Sequence, residues 1–241
     1  EYHDKECQGG RYSWSTVVCK KEERSYDRND QLTGVFTSYH QKPNLIKIIG
    51  NYRNGKKIGL WNENNSSGVM RSQGSYNLDK KEGVWQYFFD PGMIWKSETY
   101  QNGNLEGRQM QYYSDGTLES IKVIEDGSRV LLQTYNKLGG LINDLTYENG
   151  KKTGVELIFF SSGQLKNKGS WQDGEKTGVW ESFNKVGQLV SKNDYDSNIE
   201  IINEYHSNGE LKKAGSTEEG KPFGIWYRYD QDGRMTKTTS Y

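Results

Sequence analysis

A turn residue returns at nearly constant spacing through most of this chain, and few folds can accommodate such a rule. Taking the middle of each segment as marker, Asn44, Gly68, Gly92, Gly116, Gly140, Gly163, Gly187, Gly209 and Gly233 follow one another at 24, 24, 24, 24, 23, 24, 22 and 24 residues. Self-similarity at this period marks a repeat architecture, in which each segment buries its apolar side chains only against its sequence neighbours. Composition agrees: 32% hydrophobic residues and a mean hydropathy of −0.99 are too little for a thick core, while 13% aromatics and zero net charge argue against disorder.

The side chains repeat with the marker. Two residues after it stand Ile46, Met70, Ile94, Leu118, Ile142, Leu165, Leu189, Leu211 and Met235. The first half of most repeats opens on another glycine (Gly34, Gly59, Gly83, Gly107, Gly154, Gly178, Gly224), followed by Val35, Leu60, Val84, Arg108, Val155, Val179 and Ile225. Leu132 and Ile201 hold that place in the two repeats without the glycine. The nine residues between glycine markers leave no room for an ordinary helix, so both halves read as strands. Between repeats, Asn54-Gly55, Asn102-Gly103, Asp126-Gly127, Asn149-Gly150 and Asp173-Gly174 suit the positive φ values of a primed hairpin turn.

The expected fold is therefore all-β: an elongated, twisted antiparallel meander of about nine β-hairpin repeats of 23–24 residues, curled as a single-layer sheet over residues 33–241. Asp79–Gly103 shows the repeat most fully, with Val84, Phe88, Ile94 and Tyr100 expected to hold the sheet and Tyr87 and Trp95 left as individual to it. Residues 1–32 are irregular and read as an N-terminal cap, with Trp14–Tyr26 supplying a strand of an incomplete repeat. The only cysteines, Cys7 and Cys19, are expected to form a disulfide contributing about 3 kcal/mol, which points to an oxidising compartment.

Little in the chain suggests chemistry. Lys+Arg and Asp+Glu balance at 32 each, so no net field steers the molecule to nucleic acid or to an anionic membrane. Catalytic and phosphate-binding motifs are missing, and His3, His40 and His206 fall in unrelated segments, the last two as expected solvent-exposed turn residues. Asp194-x-Asp196-x-Asn198 begins like a calcium loop, but Ile199 replaces its glycine and Tyr205 its bidentate glutamate. The expectation is a non-enzymatic chain without metal or cofactor.

Phe36, Trp61, Trp85, Trp180 and Trp226 stand two residues after the first-strand glycine, on the face opposite Val84 and Phe88. Two readings remain open: a tryptophan covering the glycine of an adjacent repeat, or a stripe for contacting a partner. Repeats four to six carry Gln109, Gln133 and Glu156 in that place, and Arg108 interrupts the aliphatic row. Either the sheet curves differently there, or a partner protrudes onto Arg108, Gln109, Gln111, Gln133, Tyr135, Glu156 and Ile158.

Segments such as Asn149–Leu165 (NGKKTGVELIFFSSGQL) and Asp173–Leu189 (DGEKTGVWESFNKVGQL) resemble the MORN repeat, and more closely its bacterial variant. The resemblance covers residues 33–241; repeats five and eight depart from it, with Leu131 and Glu200 where glycine belongs. It implies a curled sheet of hairpins and a non-catalytic binding role. Bacterial variants are similar to antitoxins and immunity factors, which implies a cognate toxin or secreted effector as partner. With the cysteines, the expectation is a monomeric, exported or periplasmic protein, membrane-anchored ahead of Glu1 or free. The alternative is a surface scaffold or adhesin engaging another protein or membrane lipid.

Overall fold

The computed structural model describes residues 5–6, 18–19, 21–41 and 45–241. Cys7, and with it the Cys7–Cys19 bridge, lies outside the described residues, as do His3, Trp14 and the Asn44 marker. All regular structure among the described residues is β. The chain forms two compact units, Glu1–Leu118 and Glu119–Tyr241.

In the first unit the short strand Glu22–Glu23 pairs with Gly34–Tyr39, and a Tyr26↔Leu32 bridge closes the loop between them. From there the sheet is an open antiparallel meander: Gly34–Tyr39, Ile46–Arg53, Lys56–Asn64, Met70–Asn77, Lys80–Phe88, Ile94–Gln101, then Asn104–Leu105 and Gly107–Tyr112, both on Ile94–Gln101. Lys5–Glu6 and Val18–Cys19 form a separate two-stranded pair. The second unit continues the pattern through ten strands that begin at Arg129 and end at Ser240, the first pairing with Leu118–Glu125. Each strand pairs with its sequence neighbours, so the layer is one sheet thick.

Each repeat is built by one device. Between the register pairs Ser75↔Glu82 and Gln73↔Gln86, the single Gly74 faces three residues, Gly83, Val84 and Trp85. Gly83 takes a φ of +69°, which lets the strand bulge outward and fold back. The bulge leaves Val84 at its crest, 57% exposed, and turns Trp85 down onto Gly74. The same arrangement sets Trp61 on Gly50, Trp180 on Gly169 and Trp226 on Gly215, where an added Cβ would clash with the indole, its nearest ring atoms only 2.0–2.1 Å away. These four tryptophans are 5–7% exposed and, with Leu145 and Ile124, are the buried apolar residues among those described. Three of them, Trp85, Trp180 and Trp226, donate Nε1–H to the carbonyl of the serine after that glycine, each at 3.0 Å.

The aliphatic row therefore does not hold the sheet. Val35, Leu60, Val84, Val155, Val179 and Ile225 are all exposed, because each sits on the crest of a bulge. Of the two readings of the tryptophans, the structure carries the first.

Repeats five and eight lack the glycine and so lack the bulge. Their first strands, Arg129–Tyr135 and Ile199–Tyr205, are seven residues long against nine in Lys56–Asn64, Lys80–Phe88, Lys151–Phe159, Glu175–Phe183 and Lys221–Tyr229, and pair without a register shift to the strand before. This corrects the alignment of repeat five. Its positive-φ turn glycine is Gly139 (+79°), not Gly140, and its second strand starts at Leu141 rather than Ile142. Leu132, opposite Leu145, takes the tryptophan place, and Gln133 moves to the next position, opposite Asp144.

The histidines are not free turn residues. His40 Nε2 lies 3.0 Å from the Asn64 carbonyl oxygen, and His206 Nε2 3.0 Å from that of Tyr229, each bridging to the next repeat.

Candidate protein-binding face

The glycine and tryptophan places vary together. Where Gly50, Gly74, Gly169 and Gly215 stand, the next repeat brings Trp61, Trp85, Trp180 and Trp226. Where the glycine is Glu98, Lys122 or Leu145, the tryptophan is Gln109, Leu132 or Glu156, and in the unbulged repeat eight Ile202 stands opposite Ser191. A ring cannot lie on a residue that has a side chain, so losing the glycine removes room for the indole. The polar run of repeats four to six thus goes with a change of packing partner across the strands.

Gln109 is 9% exposed and bonded inward: its Nε2–H donates to the carbonyls of Thr99 and Glu106, both at 3.2 Å, and its Oε1 accepts from the Thr99 N–H at 2.9 Å. Glu156 is 3% exposed. Its carboxylate accepts from Trp171 Nε1 (2.8 Å) and Asn143 Nδ2 (3.1 Å) and pairs with Lys152 Nζ (3.5 Å). Neither side chain is offered to a partner. Gln133 is half-buried, donates to Asp144 (3.0 Å) and accepts from the Tyr135 hydroxyl (3.0 Å). Ile158 is half-buried between Asn143 and Asn167. Arg108 and Gln111 are exposed, with Arg108 on the face opposite Gln109. Arg108, Gln109 and Gln111 belong to the first unit and Gln133, Tyr135, Glu156 and Ile158 to the second.

Tyr87 and Trp95 do belong to a cluster, on the aromatic face of the first unit. Tyr87 lies between Trp85 and Trp95, with ring centroids 6.5 and 6.2 Å away. Lys81 Nζ donates to the Tyr87 hydroxyl at 2.7 Å and stands over Trp85 at 4.3 Å and Tyr100 at 4.7 Å. The Tyr100 hydroxyl donates to Glu98 at 2.7 Å, and Lys96 pairs with the other oxygen of that carboxylate at 2.8 Å. Lys96 also sits over Tyr87 and Trp95, at 4.6 and 4.8 Å.

Ionisation in this cluster is shifted by its packing. Burial pulls the Lys81 ammonium below its ordinary value against the opposing charge of Glu98, and Lys96 pulls it further. Burial would raise the Glu98 carboxyl, but the bonds from Lys96 and Tyr100 together outweigh it and hold the group low. Burial, with the bonding to its neighbours, pushes the Tyr87 phenol far up.

Sequence reasoning passed over the lysines of this face and Glu98. The signal was present: Lys57, Lys81 and Lys176 each precede a tryptophan by four residues and cover its ring, at 4.5, 4.3 and 4.1 Å.

Residues 152–173 match the family model of the MORN repeat variant. No curated protein matches the chain. The matched MORN segment runs from the lysine that pairs with Glu156 through the strand Leu165–Gln172. MORN repeats are non-enzymatic modules that generally bind proteins or membranes.

Proposed function

We propose that this chain is a non-catalytic protein-binding scaffold, and more closely an exported immunity or antitoxin protein that holds a cognate toxin or secreted effector and blocks it. The observation that carries the reading is the cluster on the aromatic face of the first unit. Tyr87 and Trp95 are only half-buried, and two lysines are fixed over their rings. Large rigid aromatics with prepositioned charges lose little entropy on binding and are frequent anchors of protein interfaces. The balanced charge of the chain favours a protein partner over an anionic membrane.

Co-expression with the product of the neighbouring gene tests this. The two proteins co-purify, the neighbour alone is toxic, and Trp95→Ala or Tyr87→Ala weakens the complex by about thirtyfold, the loss typical of an interface anchor. A neighbour that is neither toxic nor retained overturns the assignment.

A further inference from the structure

Repeat eight leaves a hollow on the tryptophan face of the second unit. Where a first strand bulges, its ring turns down onto the glycine of the strand before, as Trp180 does on Gly169 and Trp226 on Gly215. Without a bulge the register of repeat eight runs straight: Glu200, which replaces the glycine, pairs with Asn193, and Ile202 stands opposite Ser191. On its other side Glu200 pairs with Thr217. Trp180 is the partner of Asn193 on the strand before, so these side chains all share the face of Trp180. A hollow of about 390 Å³ remains there, lined by Asn193, Tyr195, Asn198, Glu200, Thr217 and Glu219.

The polar groups of this hollow lack partners. Glu200 is half-buried, yet among the described residues no hydrogen bond or ion pair meets its carboxylate. Other sheltered carboxylates of the sheet have theirs: Glu98 has Lys96 and Tyr100, Glu156 has Trp171, Asn143 and Lys152, and Glu181 has Lys168 at 2.7 Å. Thr217 is 8% exposed, and neither its hydroxyl nor the Asn193 amide has a hydrogen-bond partner among the described residues.

The repeat's own cation is missing beside it. In four repeats a lysine faces the aromatic near the end of the preceding strand: Lys57 and Tyr52, Lys81 and Tyr76, Lys152 and Tyr147, Lys176 and Trp171. Next to the hollow that pair is Pro222 and Thr217. The lysines nearby are held elsewhere. Lys176 stands over Trp180 at 4.1 Å and donates to the Tyr195 hydroxyl at 3.2 Å, while Lys213 stands over Trp226 and pairs with Glu204 at 3.3 Å.

A sheltered carboxylate and hydroxyl without partners are recovered by an occupant that brings donors. The charged residues of the lining, Glu200 and Glu219, are both acidic, so the occupant is a cation. A guanidinium fits best: its planar fork gives two donors to a carboxylate, others to the oxygens of Asn193 and Thr217, and a face to the half-exposed Tyr195 ring. An ammonium has neither the fork nor the face. No group of three or more metal-binding side chains occurs among the described residues to hold an ion instead.

We propose that this hollow receives an arginine side chain of the partner protein, with its guanidinium on Glu200. This rests on the protein-binding reading above and gives the second unit a contact with its own chemistry.

Magnetic resonance titration of the isotope-labelled full chain with N-acetyl-arginine amide tests the proposal. The probe shifts the Asn193 side-chain amide and the backbone amides of Tyr195 and Thr217 saturably, and added salt weakens it. The citrulline analogue keeps the shape without the charge and binds about tenfold more weakly; the lysine analogue binds about threefold more weakly. Glu200→Gln lowers the arginine affinity about tenfold with an unchanged circular dichroism spectrum, and Thr217→Val lowers it about threefold. Glu63→Gln, at an exposed acid of the first unit, leaves it within about twofold. Equal binding of citrulline, which needs no variant to observe, overturns the site. So does undiminished affinity in Glu200→Gln, or displacement of arginine by a lower concentration of calcium chloride. If arginine shifts nothing and the neighbouring gene product is retained equally by the wild type and Glu200→Gln, the hollow falls and the scaffold function stands. If arginine binds at Glu200 and no neighbour is retained, the function falls and the cation site stands.

Discussion

Glu98 in the first unit and Glu156 in the second both stand where a Gly–Trp pair has been lost, yet they resolve the loss in opposite ways. Glu98 replaces the glycine; the next repeat fills the place with the amide of Gln109, and the half-buried carboxylate turns to Tyr100 and Lys96 within an aromatic cluster. Glu156 replaces the tryptophan over Leu145 and is buried, with Trp171, Asn143 and Lys152 around it. The backbone device is shared, because Leu145 faces Gly154, Val155 and Glu156 just as Gly74 faces its bulge. The difference teaches that the bulge sets where a side chain goes, and that its partner 11 residues earlier decides what that side chain can be.

The comparison is broken most forcefully at an intact pair. Gly74→Glu drives a side chain into the face of the Trp85 ring, 2.2 Å from its nearest atom, and costs about 3 kcal/mol in chemical denaturation. Adding Trp85→Gln, which imports the Glu98–Gln109 combination, recovers more than half of it. Failure of the second change to recover stability would mean that the two places vary together for some reason other than space.

Next in size, Glu156→Ala leaves the Trp171 N–H and the Lys152 ammonium without their acceptor and costs about 2–3 kcal/mol, measured in the same way. The matching Glu98→Ala costs less, about 1 kcal/mol, since its partner Lys96 is the more exposed end of the lysine–carboxylate pair and regains water. Equal costs would remove the distinction between the inward and outward carboxylate.

Glycines of the two kinds separate more finely. Gly83 holds a φ of +69° with open space where a Cβ would go, so Gly83→Ala costs about 1–2 kcal/mol and Gly83→Asn less. At Gly74, asparagine is no better tolerated than alanine, because the obstacle is the indole and not the dihedral.

The smallest effect is on pH dependence. Glu98 has a folded value below its unfolded one, so its contribution to stability is fully present above the unfolded value, near pH 4.5, and is lost as pH falls through the folded value. Glu98→Gln flattens the fall in stability below about pH 4.5; a profile identical to the wild type would show that the Lys96 and Tyr100 bonds do not hold the carboxyl low.

Much of the scaffold was legible because turn chemistry is local. Asn102-Gly103 takes φ values of +51° and +88° as a primed turn demands, and nothing distant is needed to read it. The aliphatic row was misread because its four-residue spacing from Phe88 assumes an unbroken strand, whereas the bulge after Gly83 changes which side Val84 meets. Repeat five slipped by one residue for the converse reason: without the glycine it has no bulge, and counting from Gly140 carried an extra residue into a seven-residue strand. The Gly–Trp rule was written in the sequence at a spacing of 11, but it crosses the turn between repeats, so comparing repeats one by one hides it. The aromatic cluster was found only through Tyr87 and Trp95. Lys81 and Lys96 look like ordinary solvated residues until the register sets them over rings.

Because each tryptophan reads a glycine belonging to the repeat before it, the block that can be copied or deleted is not the hairpin. An unequal crossover whose breakpoint falls between Gly74 and Trp85 joins one repeat's glycine place to another repeat's ring place. Gly50, Gly74, Gly169 and Gly215 can exchange their following segments freely, since each is followed by a tryptophan. A junction that set Glu98 before Trp180 would pair two side chains where the sheet has room for one. Gene variants that differ in repeat number should therefore gain or lose segments among the glycine-bearing repeats and keep the middle ones in single copy.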